Sequence, residues 1–110
     1  MNNQNEVLQT RAFRMKLKTG CDQEYKNRHD EIWPEVLSLI EYSGVMEYYI
    51  FLDEETHHLF AFQKRKNGSI AHNPTTDPIM QRWWDHMADI MEVNPDNSPV
   101  VVPCQEMFKL

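Results

Sequence analysis

An α+β fold is predicted by three observations. Apolar residues alternate with polar ones in several short stretches, they recur at helical spacing in two longer ones, and these stretches follow in the order β-α-β-β-α-β. Residues 12–18 (AFRMKLK) open the series: Phe13, Met15 and Leu17 alternate with Arg14, Lys16 and Lys18, as in a strand with one apolar and one solvated face. Thr19-Gly20 closes it. Asp22 is placed to cap the next element, with Glu24 adding acid at the positive helix end. Tyr25, His29, Ile32, Trp33, Val36, Leu37, Leu39 and Ile40 then carry helical spacing toward Tyr42. Pro34 lies inside that run, where it removes a hydrogen bond and biases Trp33 away from helical geometry, so a break near residues 30–34 and two helical pieces are expected. Ser43-Gly44 ends the second piece.

Residues 45–53 (VMEYYIFLD) are rich in β-branched and aromatic side chains and predict a strand. A turn at Glu54-Glu55-Thr56 returns the chain as a strand over residues 57–64 (HHLFAFQK), which makes a hairpin. Asn67-Gly68 signals a turn and residues 71–78 a loop, after which Thr76 or Asp77 caps a helix that Pro78 can begin. That helix is expected over residues 79–91, with Trp83, Met87, Ile90 and Met91 on its apolar side. Residues 94–99 (NPDNSP) are dense in turn formers, and residues 100–102 with 105–110 can supply a last strand. This is the ferredoxin-like order. Its antiparallel sheet carries helices on one face only. The other face is aromatic and apolar here, and two such sheets packed face to face would bury both, which predicts a homodimer.

The chain has 110 residues, one domain's worth, with 41% hydrophobic and 11% aromatic residues. Residues 1–10 are expected to form a polar N-terminal tail, and residues 11–110 a single ferredoxin-like domain. A net charge of −6 argues against nucleic acid or anionic membrane as a partner. No stretch approaches the roughly 18 apolar residues of a membrane span, and the N-terminus lacks the features of a signal peptide. Cys21 and Cys104 have no CxxC spacing, in keeping with reduced thiols in a cytoplasmic protein.

Tyr25 and His29 are four apart and share a helix face. Histidine titrates closest to neutrality and suits general acid–base work, and a phenol one turn away can orient the ring or bond a hydroxyl. The same spacing also suits a surface histidine beside a core tyrosine. Trp83 and Trp84 point about 100° apart on a helix, so one can pack inward while the other lines a cavity, where indole faces suit sugar C–H groups. Both can equally fill a core. Tyr48 and Tyr49 face opposite sides of their strand, and alternation alone does not say which lies under the helices. The NPDNSP loop can rim a polar pocket or serve only as a loop. His57, His58, His72 and His86 have no chelating spacing, and glycine-rich phosphate loops and GxSxG elbows are missing from the sequence. No metal or other cofactor is expected.

The stretches EYKNRHDEIWPEV, YYIFLD, LFAF, QRWWDHMADIM and NPDNSP, in this order, resemble the L-rhamnose mutarotase family across residues 11–110. The combination of RHxxIWPE, QRWW and NPDNSP is specific, whereas each alone would be weak. The resemblance implies a dimeric α+β barrel that interconverts α- and β-L-rhamnose without a cofactor. It also implies that His29 is the proton donor and that Tyr25, Tyr48, Trp83 and Trp84 bind the sugar. The sequence departs from the family pattern at Gln63-Lys64, where an acidic residue is common, and in KNGSIAHNP, which lacks a common tryptophan. Two other readings fit the same fold class: a cofactor-free monooxygenase of the dimeric α+β barrel type, and a non-enzymatic sugar-binding module.

Overall fold

The computed structural model describes residues 8–66 and 77–110. The elements follow the expected order: β1 (Leu8–Lys16), α1 (Asp22–Asp30), α2 (Pro34–Tyr42), β2 (Val45–Asp53), β3 (His58–Lys66), α3 (Pro78–Met87) with a 3-10 turn at Ala88–Ile90, and β4 (Val102–Cys104). The four strands form one antiparallel sheet in the order β2-β3-β1-β4. The core lies between one sheet face and the helices. Phe13, Met15, Leu17, Leu59 and Ala61 from the sheet pack with Tyr25, Val36, Leu39, Met80, Trp83 and Met87 from the helices.

The break at Pro34 falls where expected. Trp33 is extended (φ −63°, ψ 135°), the conformation a following proline favours, and Pro34 starts α2 at the position where its missing N–H costs nothing. Ser43 ends α2, and Gly44 follows at φ 100°. Asp77 caps α3 through its side chain, which accepts from the Ile79 N–H at 2.8 Å, with Pro78 beginning the helix.

Several boundaries differ from the sequence expectation. β1 starts at Leu8, inside the stretch expected as a tail, because residues 8–11 pair with residues 63–66 of a β3 that runs two residues beyond Lys64. Cys21, not Asp22, occupies the N-cap of α1, and Asp22 is its first helical residue. His57 belongs to the turn rather than to β3. It sits at φ 63°, the left-handed geometry that closes this hairpin. The second long helix tightens after Met87 and ends at Ile90. β4 is only three residues long, and residues 105–110 form no strand. The expected Asn67-Gly68 turn, most of the following loop and His72 lie outside the described residues.

The NPDNSP segment is latched to α3. Gln81 Nε2 donates to the Asp96 carbonyl at 2.8 Å, Asn97 Nδ2 donates to Asp85 Oδ1 at 3.1 Å, and Asn94 N–H donates to the Ser98 carbonyl at 2.8 Å. Its polar groups are spent on the loop itself and on the helix that carries the paired tryptophans.

Candidate active site

His29 occupies the last turn of α1, where its ring stacks on Tyr25 at 4.2 Å between centroids and 26° between planes. Its Nδ1 lies 3.2 Å from the Tyr25 carbonyl oxygen. A carbonyl only accepts, so Nδ1 carries a proton and donates. The proton that His29 can gain or lose is therefore the one on Nε2. Burial lowers the His29 pKa from the ordinary 6.5, and the bond to the Tyr25 carbonyl opposes that shift only in part. At neutral pH the resting ring is an uncharged base, and once protonated it is a stronger acid than free histidine.

Trp83 meets the same ring edge-on, 5.6 Å away at 82°. It is buried and also contacts Trp33 at 5.2 Å and His86 at 5.6 Å. Trp84, one residue on, is only partly buried against the core. Trp83 thus packs inward and walls His29, while Trp84 packs against the core and keeps some exposed area. Tyr48 lies on the helix-facing side of the sheet, with its ring edge-on to Phe13 at 6.5 Å. Tyr49 takes the opposite side and stacks with Phe51 and Phe62, each at 6.4 Å. A bulge between Val45 and Glu47 makes this assignment. Val45 is buried, the parity of β2 then switches at Met46, and Tyr48, Ile50 and Leu52 face the helices.

Tyr25 and Tyr48 are close enough to act on each other electrostatically. Burial is the main cause that raises both phenols, and for Tyr25 the neighbouring Tyr48 adds to it. Both remain protonated through the physiological range and serve as neutral hydrogen-bonding groups. Tyr25, His29 and Trp83 are neighbours in space although they come from two helices, and Tyr48 faces the same side from β2.

Other residues join them that the sequence did not mark as site residues. Arg28 ties α1 to the end of α3: its Nε donates to Glu24 at 2.7 Å, and its Nη1 donates to Asp89 at 2.8 Å and to the His86 carbonyl at 2.6 Å. The signal for Glu24–Arg28 is the i,i+4 pairing, but the link to Asp89 spans 61 residues and has none. Gln63 is buried beside Tyr48 and Arg11. Its signal is a polar residue at the inward position after Leu59 and Ala61. Asp30 pairs with Lys26 at 3.0 Å on the exposed side, and Glu31 is also exposed. Neither acid is hydrogen-bonded to His29, although the Asp30 charge opposes part of the lowering that burial causes there. Groups of three or more metal-ligating side chains do not occur among the described residues, and no helix there is long and apolar enough to cross a membrane.

The sequence profile of the L-rhamnose mutarotase family matches residues 10–110. An L-rhamnose mutarotase of Formosa agariphila is 54% identical over 97 residues, covering 88% of this chain and 93% of the relative. The crystal structure of a Formosa agariphila L-rhamnose mutarotase superposes with a TM-score of 0.85 at 51% identity, covering 93% of this chain and 98% of that one. A putative antibiotic biosynthesis monooxygenase from Bacteroides thetaiotaomicron superposes at 0.58 with 13% identity, covering 92% and 90%, which shows a common fold alone.

Proposed function

This chain belongs to the L-rhamnose mutarotase family and is an isomerase that exchanges the α and β anomers of L-rhamnose, and we propose that His29 is its acid–base residue. The observation that supports this most is the geometry of His29 itself: a half-buried imidazole, stacked on Tyr25, with Nδ1 committed to a carbonyl and a pKa below the ordinary value.

Mutarotation opens the pyranose ring, lets the C1–C2 bond rotate and closes the ring on the other face of the aldehyde. As the ring C–O bond breaks, one proton leaves the anomeric hydroxyl and one arrives on the ring oxygen, so the count is unchanged. In this reading the minor, charged form of His29, which carries a proton on Nε2 as well as on Nδ1, gives the Nε2 proton to the ring oxygen, and water takes the anomeric proton. Closure reverses both transfers. Tyr25 orients the imidazole and, with Tyr48, bonds sugar oxygens. Trp84 offers an indole face to the sugar, and Trp83 forms the wall behind His29. The chemistry calls for no cofactor.

The protein works as a cytoplasmic homodimer in this proposal. The sheet face away from the helices supports the second half of that statement, because Tyr49, Phe51 and Phe60 lie exposed on it as a continuous apolar surface.

Saturation-transfer NMR between the anomers of L-rhamnose tests the reaction. His29→Ala is expected to slow enzyme-dependent exchange by about 10²–10⁴-fold, the usual contribution of one acid–base group. Undiminished exchange in a folded variant would remove His29 from the mechanism.

A further inference from the structure

The helix-facing side of the sheet is built in cross-strand rows. Leu52, Leu59 and Met15 make one, and Ile50, Ala61 and Phe13 make the next. The third row is Tyr48, Gln63 and Arg11, polar throughout. Gln63 is only 7% exposed, so its amide needs partners on both ends. Its Oε1 accepts from Arg65 Nη1 at 3.2 Å, and Arg65 is held in turn by donating through Nη2 to the Ser43 carbonyl at the end of α2, also at 3.2 Å. Arginine only donates. The Gln63 oxygen is therefore committed to Arg65, and its NH₂ group is left to donate to the hydroxyl of Tyr48, its cross-strand partner. A hydroxyl oxygen that accepts from Gln63 keeps its own O–H for a different acceptor. Tyr48 retains 36% exposure, so that acceptor can belong to a bound molecule.

We propose that Gln63, backed by Arg65, is a positioning residue for substrate recognition: it fixes the Tyr48 hydroxyl as a hydrogen-bond donor aimed at a lone pair of a sugar oxygen. The inference rests on Tyr48 being a sugar contact. It makes this end of the site selective for an acceptor oxygen, and it gives a chemical role to the position where the strand departs from an apolar pattern.

Gln63→Glu separates this role from packing. Glutamate keeps the shape and still accepts from Arg65, but it cannot donate to Tyr48 and instead accepts its proton. Gln63→Leu removes the bond and keeps the volume. Each variant is expected to raise KM for anomer exchange about three- to tenfold, the worth of one net hydrogen bond, with kcat little changed. In ¹³Cζ-tyrosine NMR, the Tyr48 titration should move up in both. In a Tyr48→Phe background, neither change at Gln63 should raise KM further. The proposal is overturned if KM and the Tyr48 titration are unchanged in folded Gln63→Glu or Gln63→Leu protein while Tyr48→Phe alone raises KM. It is also overturned if the Gln63 effect persists at full size without the hydroxyl. If Tyr48→Phe leaves KM unaltered, Tyr48 is no sugar contact and both readings fall together.

Discussion

His29 carries two consequences at the scale of a single residue. Its folded-state pKa is lowered by burial, so the unfolded chain binds more protons between that lowered value and the ordinary 6.5. Stability therefore rises with pH across this window and is lost as pH falls through it. Urea midpoints measured between pH 5 and 7.5 should fall more steeply on acidification in the parent protein than in His29→Gln, which cannot titrate there. The activity profile should follow the same group, with the limb due to His29 centred below 6.5. A limb at or above that value would assign the titration to another residue. Tyr25 and His29 were legible as a pair because i,i+4 spacing puts them on one helix face wherever that helix packs. Gln63 was not, because its meaning depends on Arg65, Ser43 and Tyr48 meeting it across strands and loops.

Arg28 dominates at the scale of elements. It joins the final turn of α1 to the end of α3 through Glu24, Asp89 and the His86 carbonyl, and His29 and Trp83 lie on those same two helices. The carboxylates are exposed and their attraction is screened, while the arginine stem is largely covered. Arg28→Met is expected to cost about 1–2 kcal/mol of stability in denaturant titrations. It should also lower exchange activity by loosening α1 against α3. A variant with parent stability and activity would show that the helices hold their angle by packing alone. The bulge at Met46 is the second device of this scale. Because of the extra residue, Val45 and Tyr48 face the same side although they lie three apart, and deleting Met46 would leave them two apart on that same side in one-for-one pairing. The deletion is therefore expected to keep Val45 buried and the thermal midpoint close to the parent's, and a large drop would show that the bulge itself stabilises β2. The Pro34 break was visible in the sequence because proline acts on its own neighbours. The bulge was not, because it is a mismatch in length between two paired strands.

For the whole molecule, the sheet decides what the rest can be. Its helix side is closed by α1, α2 and α3, and its other side leaves Phe51 at 63% exposure beside Tyr49 and Phe60. A second copy on this face would remove that area from water. Phe51→Glu, in the middle of the face, is expected to shift sedimentation from a dimer to a monomer while leaving the secondary structure intact. A parent protein that sediments as a monomer at micromolar concentration would refute the face-to-face assembly. The apolar character of the face could be read from YYIFLD and LFAF. Which of Tyr48 and Tyr49 belongs to it could not.

The sequence by itself determined the order of elements, the break before Pro34, the placing of His29 one turn from Tyr25, and a family resemblance that residues 10–110 uphold. Each follows from forces that act within a few residues, or from a pattern of residues that needs no contact to be recognised. Only the tertiary structure decided that Trp83 rather than Trp84 walls the histidine and that β1 extends back to Leu8. It also turned Tyr48 inward and tied Arg28 to Asp89. These depend on strand register and on where helices come to rest, which are set by the packing of residues tens of positions apart.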